Sequence, residues 1–214
     1  MGTAEAGTQD RLGGRLPLLT DGDLDDEQRL LRRRISDSRG VASGRSGYLA
    51  ALPDGRLIGP FNALMHSPAV ATGMLSWAQA LGGALDAGGV EGVVRETVIL
   101  TVAASRRAAY AVYAHSRAAR GAGLSTEAVS ALIARRTPAD LPPAAAVAHR
   151  LARALAEGVA VDEATYAEAV ATFGVPQLVN LVSLVGQYLT TCAVLACFDV
   201  PAPEHPDPAT PGRP

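Results

Sequence analysis

The chain has 214 residues, of which 48% are hydrophobic and 19% are charged, enough for one ordinary domain with a substantial core. This balance excludes wholesale disorder. The formal charge of −2 gives no long-range attraction to nucleic acid or anionic lipid. All 19 residues counted as Lys or Arg are arginine, which excludes mechanisms that need a protein lysine, such as a Schiff base.

The first half of the chain predicts two helices around a long loop. An amphipathic helix over residues 27–38 is predicted to take its N-cap from Asp23. Residues 40–59 are rich in glycine and are predicted to form a loop with a short turn of helix. Ser67 and Pro68 suit the start of a second helix.

The second half is helical almost throughout. The pattern from Glu91 to about Arg120 is long for one globular helix, so we expect a break at Ser105-Arg106-Arg107, where the apolar run ends. Four more helices are predicted, near residues 125–137, 142–157, 162–173 (ended by Gly174) and 177–198.

No segment shows the period-two alternation of a strand. The sequence therefore predicts an all-α bundle of seven to eight helices. We expect one domain over residues 16–200, a disordered N-terminal arm over 1–15 and a proline-rich disordered tail over 201–214.

The last helical segment is the most apolar. Leu178–Phe198 carries no charge over 21 residues, long enough to span a membrane. Its polar residues favour a buried core or interface helix instead. Cys192 and Cys197 lie in it too far apart along a helix for a disulfide, which favours a reducing, cytoplasmic compartment.

His115 is the main candidate for chemistry. Ala108, Ala111 and His115 have the i, i+3, i+7 spacing of one helix face. Helical side chains lean toward the N-terminus, so the ring should point into the hollow beside two small residues. Imidazole suits acid–base work near neutrality. The alternative is a core histidine packed at a helix crossing.

Two further residues are candidates beside His115. Glu96 lies before the predicted break, where it could orient the ring or pair with an arginine such as Arg95 or Arg120. Tyr110 could donate a hydrogen bond to an enolate oxygen, or be a half-buried aromatic residue.

Other polar residues suggest substrate contacts. Asn62 and His66 precede a helix N-terminus, which suits a carboxylate, although the same residues could satisfy the backbone of the turn. Trp77, Tyr113, Gln187 and Tyr188 could line a pocket or pack in the core. The spacing of the four histidines predicts no metal site, and no cofactor is expected.

The run Arg95-Glu96-Thr97-Val98-Ile99-Leu100-Thr101-Val102-Ala103, followed by Tyr110, His115 and Gly123-Leu124-Ser125, resembles the carboxymuconolactone decarboxylase family. The alkylhydroperoxidase-D-like proteins form the same superfamily. The Gly-Pro-Phe-Asn…His-Ser-Pro segment over residues 59–68 and the later Gly186-Gln187-Tyr188 are similar to members with a longer N-terminal region. The resemblance covers about residues 16–204.

This resemblance implies an alkylhydroperoxidase-D-like helical bundle that assembles as dimers, trimers or hexamers, with a pocket near a subunit contact. Redox members carry a Cys-x-x-Cys pair whose second cysteine lies four residues before the histidine. Here these positions are Ala108 and Ala111. Decarboxylase-like members often have Tyr-Glu-Trp before the histidine, and only Tyr110 is retained here.

The leading hypothesis is a cofactor-independent lyase, of decarboxylase or isomerase type, acting on a small oxygenated and acidic molecule through an enolate-like intermediate. His115 would move the proton, Tyr110 would hold the oxyanion and Glu96 would set the imidazole. The predicted substrate contacts are His66, Asn62, Ala108, Ala111 and Tyr188.

Two alternatives stay open. One is a non-catalytic helical subunit or small-ligand-binding protein. The other is a hydroperoxide reductase that uses Cys192 or Cys197 in place of the missing thiols. The expected partners are the small-molecule substrate and further copies of the chain, without nucleic acid or membrane.

Overall fold

The computed structural model describes residues 11–204, apart from the side chains of residues 39–46. Over this range the chain forms eight α-helices and no strand, which confirms the predicted all-α fold. They are α1 Asp26–Ser46, α2 Pro60–Met65, α3 Pro68–Ala87, α4 Gly92–Ser105, α5 Ala109–Gly121, α6 Thr126–Ile133, α7 Pro143–Glu157 and α8 Glu163–Cys197.

Helix α4 is the centre of the core. Every residue from 97 to 104 is buried, because α4 packs against α5, α6, α7 and α8 on its different sides. A helix that is apolar all round is stable only when it is surrounded in this way. The few polar side chains on α4 are therefore held in defined environments.

The break predicted between the fourth and fifth helices is confirmed. Helix α4 ends at Ser105 and α5 begins at Ala109. Arg107 between them has a left-handed φ of 53°, which reverses the chain direction. Two predicted N-caps are also present: Ser125 accepts from the amide of Ala128 at 2.9 Å, and Asp162 accepts from the amide of Thr165 at 2.8 Å.

The start of α1 differs from the prediction. The N-cap is Asp25, whose carboxylate accepts from the Gln28 amide at 2.8 Å while the Gln28 side chain accepts from the Asp25 amide at 3.0 Å. This reciprocal pair is a capping box. Asp23 instead accepts from the backbone and hydroxyl of Thr20. The acidic run contains several residues that could act as the N-cap. Asp25 does so because Gln28, three residues later, completes the reciprocal pair.

Helix α1 also runs eight residues beyond its predicted end, to Ser46. Glycine inside a helix costs only about 1 kcal/mol relative to alanine, so Gly40 and Gly44 do not stop it. Gly47, with φ 71°, follows the last turn. The remaining loop holds a small hairpin with a bridge between Ala51 and Leu57, in place of the expected helical turn.

Helix α8 has a kink and two unlike faces. Gly174 has a non-helical φ of 70°, which places the predicted helix boundary inside one long element. Leu181 and Leu184 are buried against the core, whereas Val179 and Val182 are exposed. By length and composition α8 could span a membrane, and 33% of its most apolar window is buried.

Most of the predicted arm, residues 1–15, and tail, residues 201–214, lies outside the described residues. Of the described parts, Arg15 donates its backbone N–H to the carbonyl of Phe198 at 2.7 Å, and Pro203 is buried. The two described ends therefore meet near the C-terminus of α8.

Gly59 lies at the start of α2, directly against the ring of Tyr110. Its φ of 65° and ψ of −147° belong to a region that is almost restricted to glycine. A Cβ atom at this position would also overlap the Tyr110 ring. The close approach of loop and ring therefore requires glycine here.

We predict that Gly59→Ala lowers the free energy of unfolding by about 2–5 kcal/mol, because it adds a steric overlap to the backbone strain. Gly55→Ala is the matched control, since Gly55 also has a positive φ but has open space around it, and should lose only about 1–2 kcal/mol. Urea denaturation measures both. Equal losses would contradict the close approach.

His149 on α7 is a buried histidine. Its Nδ1 lies 2.9 Å from the hydroxyl of Thr101, and that hydroxyl donates to the carbonyl of Thr97 at 2.7 Å. Nδ1 must therefore be the donor, which leaves a lone pair on Nε2. No described residue hydrogen-bonds to Nε2, so the ring is held in its neutral form.

We predict that His149 makes the fold less stable in acid. Burial, and then Arg153 and Arg150, lower its pKa from the ordinary value of 6.5, against a smaller opposing effect of Glu157. As the pH falls below that ordinary value, the unfolded chain takes up a proton that the folded chain does not, so stability falls. His149→Leu should remove this contribution to the fall in the free energy of unfolding between about pH 7 and about pH 5, measured by urea denaturation at each pH. Parallel curves for the two proteins would contradict it.

Candidate active site

Glu96 and His115 meet because the turn between α4 and α5 folds the two helices together. The Glu96 carboxylate lies 2.8 Å from Nδ1 of His115, and each side chain is 18% exposed. Arg95, one alternative partner for Glu96, instead pairs with Asp86 at 2.6 Å. The pairing that the sequence left open is thus with the imidazole.

Tyr188 of α8 contacts the other side of the same ring. Its hydroxyl lies 3.0 Å from Nε2 of His115, and the two rings meet edge to face with centroids 5.0 Å apart. An ionised carboxylate only accepts hydrogen bonds, so Nδ1 donates to Glu96. In the neutral imidazole, Nε2 is then the acceptor for the Tyr188 hydroxyl. The three side chains form a continuous hydrogen-bonded chain.

This chain lies at the wall of a cavity of about 100 Å³. Most of the wall is apolar, and its polar groups are hydroxyls, one amide and the imidazole. The lining residues are Tyr48, Pro60, Phe61, Leu64, Met74, Leu75, Ala78, Tyr110, Ala111, Ala114, His115, Gln187, Tyr188, Thr191 and Leu195.

Ala111 and His115 share this cavity as predicted, but Ala108 does not. Ala108 is the N-cap of α5, with ψ 91°, so it lies outside the helix and the i, i+3, i+7 spacing does not apply to it. Its side chain lines a separate cleft. The hollow beside the ring is bounded by Ala111 and Ala114 instead.

Tyr110 contributes its ring to the cavity wall but uses its hydroxyl elsewhere. The hydroxyl donates to the carbonyl of Leu49, and the hydroxyl of Tyr113 accepts from the Leu49 amide at 3.2 Å. The two tyrosines hold the Leu49 backbone from both sides and fix the loop that carries Tyr48. The predicted role of Tyr110 as an oxyanion donor is not supported, because its proton is engaged.

Asn62 and His66 do not reach the cavity. Asn62 is buried, donates to the carbonyl of Pro17 at 3.1 Å and accepts from the Leu19 amide at 3.3 Å. His66 is the exposed C-cap of α2. The Asn62 side chain thus satisfies backbone groups, which was the alternative interpretation of the pattern.

Several cavity residues carry no sequence signal. Tyr48 comes from the loop, and Met74 and Leu75 come from α3. Nothing in their spacing links them to His115. Gln187 and Tyr188, by contrast, form part of the Gly-Gln-Tyr segment on which the resemblance was based.

The two cysteines lie away from the cavity. Cys192 is buried, and burial raises the pKa of its thiol to about 11. Cys197 is exposed at the end of α8. Neither belongs to the residues that line the His115 cavity, so the described wall of that cavity carries no thiol.

Comparison with known proteins supports the resemblance. Residues 72–154 match the model of the carboxymuconolactone decarboxylase family. No curated protein matches the chain. A crystal structure from Ralstonia eutropha JMP134, described as an alkylhydroperoxidase AhpD core and an uncharacterized peroxidase-related protein, is similar with a TM-score of 0.69 and 17% identity, over 89% of this chain and 92% of that one. Residues 72–154 therefore resemble the carboxymuconolactone decarboxylase family, and the chain has the fold of the alkylhydroperoxidase AhpD core.

Proposed function

We propose that this protein is an acid–base enzyme of lyase or isomerase type, which moves a proton on a small oxygenated molecule through an enolate-like intermediate and needs no cofactor. The observation that carries the proposal is the chain from Glu96 through His115 to Tyr188 at the wall of a cavity. A general base must lie within hydrogen-bond reach of the proton that it removes, and His115 lines the space where a substrate would bind.

The proton transfer uses both ring nitrogens of His115. Substrate first displaces the Tyr188 hydroxyl from Nε2, which frees the lone pair of that nitrogen. Nε2 then takes a proton from the carbon next to a carbonyl group, the C–H bond breaks, and the electron pair moves to the carbonyl oxygen to form the enolate. Glu96, at Nδ1, stabilises the resulting imidazolium. Nε2 then returns the proton to a carbon of the substrate, which completes an isomerisation.

Tyr188 replaces Tyr110 as the proposed donor to the enolate oxygen. Before substrate binds, the Tyr188 hydroxyl donates to the unprotonated Nε2. Substrate displaces the hydroxyl from this nitrogen, and the hydroxyl hydrogen turns to the carbonyl oxygen of the substrate. The hydroxyl therefore donates to the atom on which the negative charge develops.

The cavity favours a small, neutral substrate over the acidic one expected from the sequence. No arginine is among the described residues that line it, and an unpaired charge is costly in an apolar site. A cavity of about 150 Å³ in another protein binds benzene, so 100 Å³ suits a small ring or short chain. A neutral wall favours isomerisation over decarboxylation, in which a carboxylate would have to enter.

We predict that the protein exchanges the α-hydrogens of small cyclic ketones or lactones with D2O, followed by NMR. His115→Gln should slow this exchange at least about 100-fold, as expected for loss of a proton-transfer group. Tyr188→Phe should slow it less, because the base remains. Tyr166→Phe is the matched control, since Tyr166 lies on the same helix as Tyr188, is exposed and does not line the cavity.

Full exchange activity in His115→Gln would contradict the assignment of the base. An absence of exchange by the wild-type protein across the whole set of ketones and lactones would contradict the proposed substrate class. Equal losses in Tyr188→Phe and Tyr166→Phe would contradict the role of the Tyr188 hydroxyl.

We also propose that the chain forms a homo-oligomer through the paired surfaces of α3 and α8, with a second copy as the occupant. These helices pack side by side, and their outer faces expose Trp77, Val175, Val179 and Val182. Exposed apolar residues that form a contiguous patch are typical of a protein interface.

We predict that Val179→Asp lowers the solution mass measured by light scattering to that of a single chain. Val159→Asp is the control, because Val159 is as exposed (57% against 58%) but follows α7, away from this surface. A wild-type monomer would contradict the proposal. Binding of the wild type, but not of Val179→Asp, to phosphatidylcholine vesicles would also contradict it, because lipid would then cover the surface.

A further inference from the structure

We infer that a second cleft, at the N-terminus of α5, binds a small oxyanion such as a carboxylate or phosphate. The cleft has a volume of about 560 Å³ and is lined by Arg11, Arg15 and Arg107 together with the first residues of α5 and the end of α8. This site is distinct from the His115 cavity, and the inference does not rest on the proposed function.

The lining of the cleft is cationic. Its described residues supply three guanidinium groups and one carboxylate, that of Asp199. The ion pairs between described residues engage other arginines, namely Arg29, Arg32, Arg56, Arg95, Arg135, Arg150 and Arg153. The arginines of the cleft therefore keep an excess of positive charge.

One of the three arginines has a structural task. The guanidinium of Arg15 donates to the carbonyl of Cys197 at 3.0 Å and so satisfies the C-terminus of α8. Within the described residues, Arg11 and Arg107 have no side-chain hydrogen bond or ion pair. Two guanidinium groups are thus available to a ligand at the same cleft.

The backbone adds donors to the same place. Helix α5 spans 13 residues, and its N-cap Ala108 has no side chain that can accept from the first N–H groups. These groups carry the positive end of the helix dipole. Ala108 and Ala109 both line the cleft. Arginine side chains and a helix N-terminus both favour oxyanions, and a planar guanidinium matches a carboxylate or phosphate with two hydrogen bonds.

The cleft and the cavity are neighbours that differ in the charge of their walls and in volume. Leu195 contributes to both walls, so the two spaces lie on either side of this part of α8. The cavity has neutral walls and about 100 Å³, whereas the cleft has charged walls and about 560 Å³. A volume of that size is typical of sites for organic metabolites.

Isothermal titration calorimetry with malonate, and separately with inorganic phosphate, tests the inference at an ionic strength held constant with NaCl. Arg107→Asn should weaken binding of the preferred anion at least about tenfold, because it removes a guanidinium. Asparagine tolerates the left-handed backbone of this position. Arg106→Asn is the matched control, because its neighbouring side chain lines a different cleft, beside Cys192, and should change binding less than about twofold.

Asp199→Asn provides a second measurement that does not depend on loss of function. Asp199 also has a positive φ, so asparagine fits there. Removal of this carboxylate, the only one among the described lining residues, should strengthen anion binding severalfold. Stronger binding of malonate than of phosphate would identify a dicarboxylate site, and the reverse order a phosphate site. Equal effects of Arg106→Asn and Arg107→Asn, or heats no greater than those of NaCl, would overturn the inference.

Discussion

The hydrogen bond between Glu96 and His115 is the interaction on which the site depends. Helix α4 is surrounded by other helices, so a carboxylate on it must have a partner. The left-handed turn at Arg107 sends α5 back along α4 and brings the imidazole to that carboxylate. The ring is then fixed in one tautomer, with Nε2 facing Tyr188 at the cavity. The burial of α4 thus determines the orientation and the tautomer of His115 on α5.

Tyr110, Tyr113 and Tyr188 lie in or next to the cavity wall, and the hydrogen-bond partner of each hydroxyl determines what the residue does. Tyr110 and Tyr113 bond to the two polar groups of the Leu49 backbone and hold the loop, which places Tyr48 in the cavity wall. Tyr188 alone among these bonded hydroxyls meets the imidazole. A tyrosine in the sequence therefore does not reveal its own role at the site. The hydrogen-bond partner of its hydroxyl in the folded chain determines that role.

Local patterns predicted the helices and their breaks, because a break is caused by residues at the break itself. Ser105–Arg107 and Gly174 are examples. The site was only partly predictable, since Tyr188 reaches His115 from 73 residues away and no spacing encodes that distance. Ala108 was misplaced because a helical pattern does not show that its first residue is a non-helical cap. Asn62 bonds to a segment 45 residues before it, which no motif records.

Alanine stands at positions 108 and 111, where redox members of the family that the sequence resembles carry their two cysteines. A dithiol peroxidase needs a thiolate nucleophile and a resolving thiol. The described cavity wall offers neither, and burial raises the pKa of the Cys192 thiol to about 11, which disfavours its thiolate. Proton transfer needs only a base, a group that stabilises the charged base, and a donor for the developing oxyanion. His115, Glu96 and Tyr188 have the geometry for these tasks without a sulfur atom, and the proposal of acid–base chemistry in place of thiol redox chemistry rests on that geometry.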